Sequence, residues 1–152
     1  MTVTIALETP RQPGVLRLLE QSDAYAASLY PAESNHMVDV STLEGRGVSF
    51  FVARRGDDVL GCGALVEAGD GSAEIKRMFV HEEARGLKLG KRLIEAIIER
   101  ARERKLSAVR LETGIYQPQA IGLYKASGFV EIAAFGGYSA DPLSIFMEKR
   151  FS

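Results

Sequence analysis

The chain has 152 residues, enough for one domain with a single core, and 46% hydrophobic with 26% charged residues is the balance of an ordinary globular protein. A net charge near −1 gives no general attraction for nucleic acid or anionic lipid, so any anion site must be local. One cysteine and two distant histidines exclude an internal disulfide and offer no metal-ligand spacing. No apolar run approaches the roughly 20 residues that span a bilayer. The amino terminus, MTVTIALETP, lacks the features of a signal peptide. The expectation is a cytoplasmic, metal-free protein.

Residues 3–8 alternate apolar and polar and read as a strand. Pro13 suits the first turn of a helix that runs to Leu29, with Val15, Leu18, Leu19 and Ala26 on its apolar side, and Pro31 stops it. The loop PAESNHM precedes a short helix over residues 38–43. VSFFVAR and VLGCGALV are strands joined by a hairpin-like turn at Gly56, and a second turn at Gly69 and Gly71 leads to the strand of residues 73–80. The clearest helix follows, with Leu93, Ile94, Ile97, Ile98 and Ala101 on one face. Then come a strand over residues 108–113, a short helix over residues 118–127 closed by Gly128, and strands over residues 130–134 and 143–148. The order β-α-α-β-β-β-α-β-α-β-β predicts one α+β domain spanning residues 1–152, without repeats or linkers.

The stretch EARGLKLGKRL joins a strand to that clearest helix through two glycines. Free N–H groups at the helix start, the positive end of its dipole, and Arg85, Lys88 and Lys91 together make a candidate anion site. The alternative is a helix start carrying surface cations. A nucleoside-triphosphate loop does not fit, because Arg92 stands where the hydroxyl after Lys91 is required. Gly61 and Gly63 lie inside a strand and open no helix, so the dinucleotide fingerprint fails and close backbone packing is their expected use.

MFVHEEARGLKLGKRLIEAII resembles the acyl-CoA-binding motif of the GNAT superfamily of N-acetyltransferases at Arg85, Gly86 and Gly90. QPQAIGLYKASGF is similar to the family's downstream segment at Ala120, Leu123, Tyr124, Gly128 and Phe129. Lys88 stands where the family usually has a glycine, and Gln117 where it usually has asparagine. A Cβ at position 88 costs about 1 kcal/mol if φ there is positive. The resemblance implies a mixed, mostly antiparallel central sheet flanked by helices. It also implies acetyl transfer from acetyl-CoA, with coenzyme A as product, to a small-molecule amine in a ternary complex. A homodimer is a family expectation.

By the same resemblance, the cofactor lies along Met78, Phe79 and Val80 and over Arg85, Gly86, Leu87, Lys88, Leu89, Gly90 and Lys91, with Gln117 near it. Tyr124 corresponds to the family's proton donor to the leaving thiolate, against the alternative of a packed helix tyrosine. Glu74 corresponds to a base in some members, or else pairs with a cation. Alternation places it on one face with Lys76, Met78 and Val80. Glu112 is a second candidate base, with a cross-strand charge pair as its other use. Glu33, Ser34 and His36 after the first helix, and Tyr138 between the last strands, are candidate acceptor-binding residues. Cys62 reads as a buried inert thiol and His81 as a turn residue. A non-catalytic acyl-CoA sensor and a protein or peptide N-acetyltransferase are the competing readings.

Overall fold

In the computed structural model, which describes residues 2–84 and 86–151, the first strand β1 (Val3–Leu7) lies at one edge of a seven-stranded sheet. Next to it come β2 (Val48–Arg55), β3 (Asp58–Glu67) and β4 (Ser72–Val80) in chain order, each antiparallel to the strand before it. Then β5 (Ala108–Gly114) joins β4 in parallel, and β7 (Ser144–Arg150) and β6 (Val130–Ile132) complete the order β1-β2-β3-β4-β5-β7-β6. Among the described residues only the β4–β5 pairing is parallel, and the helix α3 (Leu89–Glu103) is its crossover.

The helix α1 (Pro13–Leu29) covers one face of the sheet and α3 the other. On the α3 side, Leu93, Ile94 and Ile97 are fully buried against Ile75, Leu111 and Met147. Each such side chain contributes about 1.5–3 kcal/mol of burial. On the α1 side, Val15, Leu18 and Leu19 pack on Phe50, Val52, Cys62 and Ala64. The small residues of β3 let both layers approach closely. A Cβ at Gly63 would stand 2.9 Å from Met78 Sδ and 3.0 Å from Ile97 Cδ1, which fulfils the packing role expected of that glycine.

The element order agrees with the sequence reading, and the ends differ for local reasons. The second helix α2 (Val40–Leu43) starts later than expected because Asp39 caps it, its carboxylate accepting from Thr42 N at 2.9 Å. The last strand begins at Ser144 because Asp141 Oδ1 holds the amide of Leu143 in a turn. The fourth helix α4 (Pro118–Ala126) packs on α3 and brings the carboxyl end of β5 back beside the sheet. Among the described residues no helix is long and apolar enough to cross a membrane.

Candidate active site

Strands β4 and β5 pair only from Ser72/Ala108 to Ile75/Leu111, although β4 continues to Val80 and β5 to Gly114. Beyond that point they separate, and the β4 backbone edge that faces β5 is left without a strand partner. A cavity of about 150 Å³ opens in the gap. Its walls include Met78 and Phe79 from β4, Glu112 from β5, Ser34 and His36 from the loop after α1, and Gln117 and Tyr124 from the start and middle of α4. Seven residues that sequence reading nominated separately thus meet in one place. Glu74 and Tyr138 stand behind this wall, while Glu33 is exposed outside it.

A bulge in β4 shapes the gap. Register shifts between Cys62 and Ala64, so that Arg77 and Met78 both oppose Gly63, and Arg77 takes a φ of 55°. The bulge reverses the alternation beyond it, and this corrects one expectation. Glu74 and Lys76 do share a face, but Met78 and Val80 lie on the opposite one, in the α3-side core, while Phe79 turns to the α1 side. Left-handed backbone is costly for arginine, and the surroundings hold it in place. Arg77 is buried and reaches α1, where Nη1 pairs with Asp23 at 2.6 Å and Nη2 donates to the carbonyl of Leu19 at 3.1 Å. The Cys62 thiol donates to the carbonyl of Arg77 at 3.2 Å. Burial pushes that thiol up to about 12, so it stays protonated, in keeping with an inert role.

The two acidic candidates have different surroundings. Glu74 is 3.0 Å from the ammonium of Lys76 and accepts a short hydrogen bond from the Tyr138 hydroxyl, which itself accepts from Lys76. His36 sets its ring edge on Tyr138 at 5.2 Å between centroids. Glu112 is half-buried, faces the cavity, and accepts from Ser144 Oγ at 2.8 Å. Burial holds its carboxyl above the usual carboxylate range, partly offset by that hydrogen bond and by His36 and Lys76. The cross-strand charge pair considered for it is made instead by Arg110 and Glu148, 2.8 Å apart. Tyr124 lines the same cavity but is buried, packed edge-on to Phe129, and burial alone pushes its phenol upward.

Where α3 begins, Lys88 is the N-terminal cap residue with φ 57° and Gly86 has φ 91°. The first intrahelical bond runs from Arg92 N to Lys88 O, and among the described residues the amides of Leu89, Gly90 and Lys91 ahead of it have no backbone acceptor. Gly90 has a packing reason as well, since a Cβ there would stand 2.8 Å from Leu123 Cδ2 of α4. Leu87 and Lys88 are exposed beside this start, and Val80 leads towards it at the end of β4. Arg85, also expected at this site, lies outside the described residues.

Sequence reading missed Arg77 and Tyr30. The Tyr30 hydroxyl accepts from the amide of Tyr116 at 3.0 Å and fills the space over Gly114, where a Cβ would fall 1.9 Å from it. A glycine at a strand end was the available signal for the second, and two adjacent cations inside a strand for the first.

A profile of the Acetyltransferase (GNAT) family matches residues 15–129. The chain belongs to that family. A GNAT acetyltransferase takes its acetyl group from acetyl-CoA, and the unpaired β4 edge, the gap beside β5 and the amides at the start of α3 fit such a donor. The IAA acetyltransferase of Azospirillum brasilense is 51% identical over 148 residues, covering 97% of each chain. A crystal structure from Klebsiella pneumoniae subsp. pneumoniae, provisionally named an acyl-CoA N-acyltransferase, is 36% identical with a TM-score of 0.86, covering 97% of each chain. The PaiA N-acetyltransferase of Thermoplasma acidophilum, solved with coenzyme A, shares the fold at 16% identity and TM-score 0.76, over 99% of this chain and all of that one (100%).

Proposed function

We propose that this GNAT acetyltransferase acts on the amine of a small molecule, by direct attack on the thioester of acetyl-CoA in a ternary complex. The observation that carries the reading is that Glu112 and Tyr124 line a single cavity where β4 and β5 separate. Glu112 is the base. Its carboxyl lines the cavity, and burial holds it above the usual carboxylate range, which suits it to take a proton. Glu74 is already neutralised by Lys76 and bonded by Tyr138, which leaves it the weaker candidate.

As the amine nitrogen bonds the acetyl carbon and the carbon–sulfur bond breaks, the Tyr124 hydroxyl gives its proton to the departing sulfur. A free phenol has a pKa of about 10, and burial raises that of Tyr124, so the group is protonated at neutral pH. The amides of Leu89, Gly90 and Lys91, with Gly86, Leu87 and Lys88 in the preceding turn, would hold the pyrophosphate. The open edge at Met78, Phe79 and Val80 would hold the pantetheine arm by backbone hydrogen bonds and polarise the carbonyl, with Gln117 flanking it. Ser34 and His36 belong to the acceptor side.

The test is release of free thiol from acetyl-CoA in the presence of an amine panel and, separately, of IAA, the name carried by the Azospirillum relative. Amine-dependent release supports the reading. Acetyl-CoA binding without release on any amine would favour a non-catalytic acyl-CoA sensor.

A further inference from the structure

Among the described residues, the carboxylate proposed as the base receives a single hydrogen bond. Ser144 Oγ donates to Glu112 Oε2 at 2.8 Å. The pairing of β5 with β7 builds this contact. In that register Phe146 stands directly opposite Glu112 and Ser144 opposite Gly114, so Ser144 is a diagonal neighbour of Glu112 on one face of the sheet. The Phe146 ring, packed on Phe135 and Tyr138, offers the carboxylate no donor. Gly114 has no side chain to compete for the place, and Tyr30 fills the space over it.

Ser144 is itself fixed by the turn before it. Its amide donates to the carbonyl of Asp141 at 3.0 Å, and Asp141 Oδ1 accepts from the Leu143 amide at 2.8 Å. Asp141 Oδ2 accepts from Ser34 Oγ at 2.7 Å, which ties the turn to the loop on the acceptor side. The hydroxyl therefore stands on a strand end whose position is set from two directions.

The other charges around Glu112 come from separate elements. Burial is the largest influence on its carboxyl and favours the protonated form, and the Ser144 hydrogen bond is the first to oppose it. His36, in the loop after α1, and Lys76, on β4, act in the same direction as Ser144, while Glu74 on β4 acts against them. Tyr138, in the loop before β7, gives its hydrogen to Glu74, and Arg110 of β5 is paired with Glu148 of β7 at 2.8 Å. A hydrogen bond to a carboxylate both favours its charged form and restrains its rotation.

We infer that Ser144 is a positioning residue for the proposed acetyl transfer, its hydroxyl holding one oxygen of Glu112 so that the other is presented to the acceptor ammonium. The inference rests on Glu112 as the base, and the experiment tells the two apart. Ser144→Ala removes the hydroxyl and Ser144→Thr keeps it. With amine and acetyl-CoA saturating, kcat is followed across pH by thiol release for the parent and both variants.

Ser144→Ala should lower the plateau about three- to tenfold and move the acidic limb up by about half a unit to one unit, since the carboxyl then protonates more readily. Ser144→Thr should restore most of the rate and bring the limb back close to that of the parent. A limb that stays in place in Ser144→Ala overturns the inference, because a purely structural loss scales the rate without moving the limb. So does a limb moved as far by Ser144→Thr, since packing and not the hydroxyl would then be the cause.

The carboxyl carbon-13 resonance of Glu112, assigned by its loss in Glu112→Gln, reads the same shift without turnover. An unshifted titration in Ser144→Ala overturns the inference and leaves the acetyl-transfer reading untouched. An acidic limb retained in Glu112→Gln, or no thiol release from any amine with acetyl-CoA still bound, instead removes the reading beneath, and the inference with it.

Discussion

The two strands that flank the cavity each carry a glutamate, and the surroundings give the two opposite characters. On β4, Glu74 is held by an ammonium and a phenol, so its charge is spent inside the protein. On β5, Glu112 keeps its charge for the cavity, held by a single hydroxyl and lifted above the usual carboxylate range by burial. Residue type and strand position are nearly the same in both. In the proposed reaction, their neighbours separate a structural carboxylate from a reactive one.

The largest expected effect is on the β5 side. Glu112→Gln should lower kcat by about a hundredfold or more, with acetyl-CoA affinity nearly unchanged in a calorimetric titration. It should also remove the acidic limb of the rate profile, which in the parent protein lies above the ordinary carboxylate range. Tyr124→Phe should cost about a hundredfold in kcat with little change in cofactor affinity. Unchanged turnover would leave Tyr124 as a packed helix residue beside Phe129.

Glu74→Gln should cost less than about tenfold, because the group is not asked to carry a proton. A loss as large as that of Glu112→Gln would reverse the contrast between the strands.

The stability of the two glutamate variants tests the same contrast without kinetics. A carboxyl whose folded pKa is raised favours folding in its protonated form. That contribution is complete below its unfolded value and is lost as pH rises through the folded one. At neutral pH Glu112 therefore opposes folding, and Glu112→Gln should raise Tm there, with the advantage shrinking in acid. Removing Glu74 should not raise Tm, because it leaves Lys76 without its carboxylate.

The smallest effect is expected at Lys88→Gly. Relief of the left-handed backbone and the greater freedom of the unfolded chain oppose each other, so stability should change by less than about 1 kcal/mol. Acetyl-CoA affinity should fall about two- to fivefold through the lost charge. A rise in affinity would show that the lysine obstructs the cofactor.

Most elements were legible because their periodicities are strong. The face of α3 repeats helically, and the strands β2 to β4 are separated by glycine turns. The candidate site was legible in part. The motif around Tyr124 and the glycines before α3 are local, and local patterns survive in a string of letters. Alternation along β4 misled, because one extra residue at Arg77 reverses every face after it, and no residue type announces a bulge. Arg77 itself went unnoticed because its partners, Asp23 and Leu19, are more than fifty positions away.

Periodicity and turn chemistry were enough to give the α+β order, and the resemblance of two local motifs pointed to the family and the acetyl donor, since each rests on neighbours within a few positions along the chain. Which glutamate is free was settled in three dimensions. Tyr138 comes from the loop before β7 to close on Glu74, and β5 leaves β4 after Leu111 to expose Glu112, and both depend on contacts between residues far apart in sequence. The charge of a side chain is written in its residue type, but the work it does follows from the field around it, which exists only once the chain has folded.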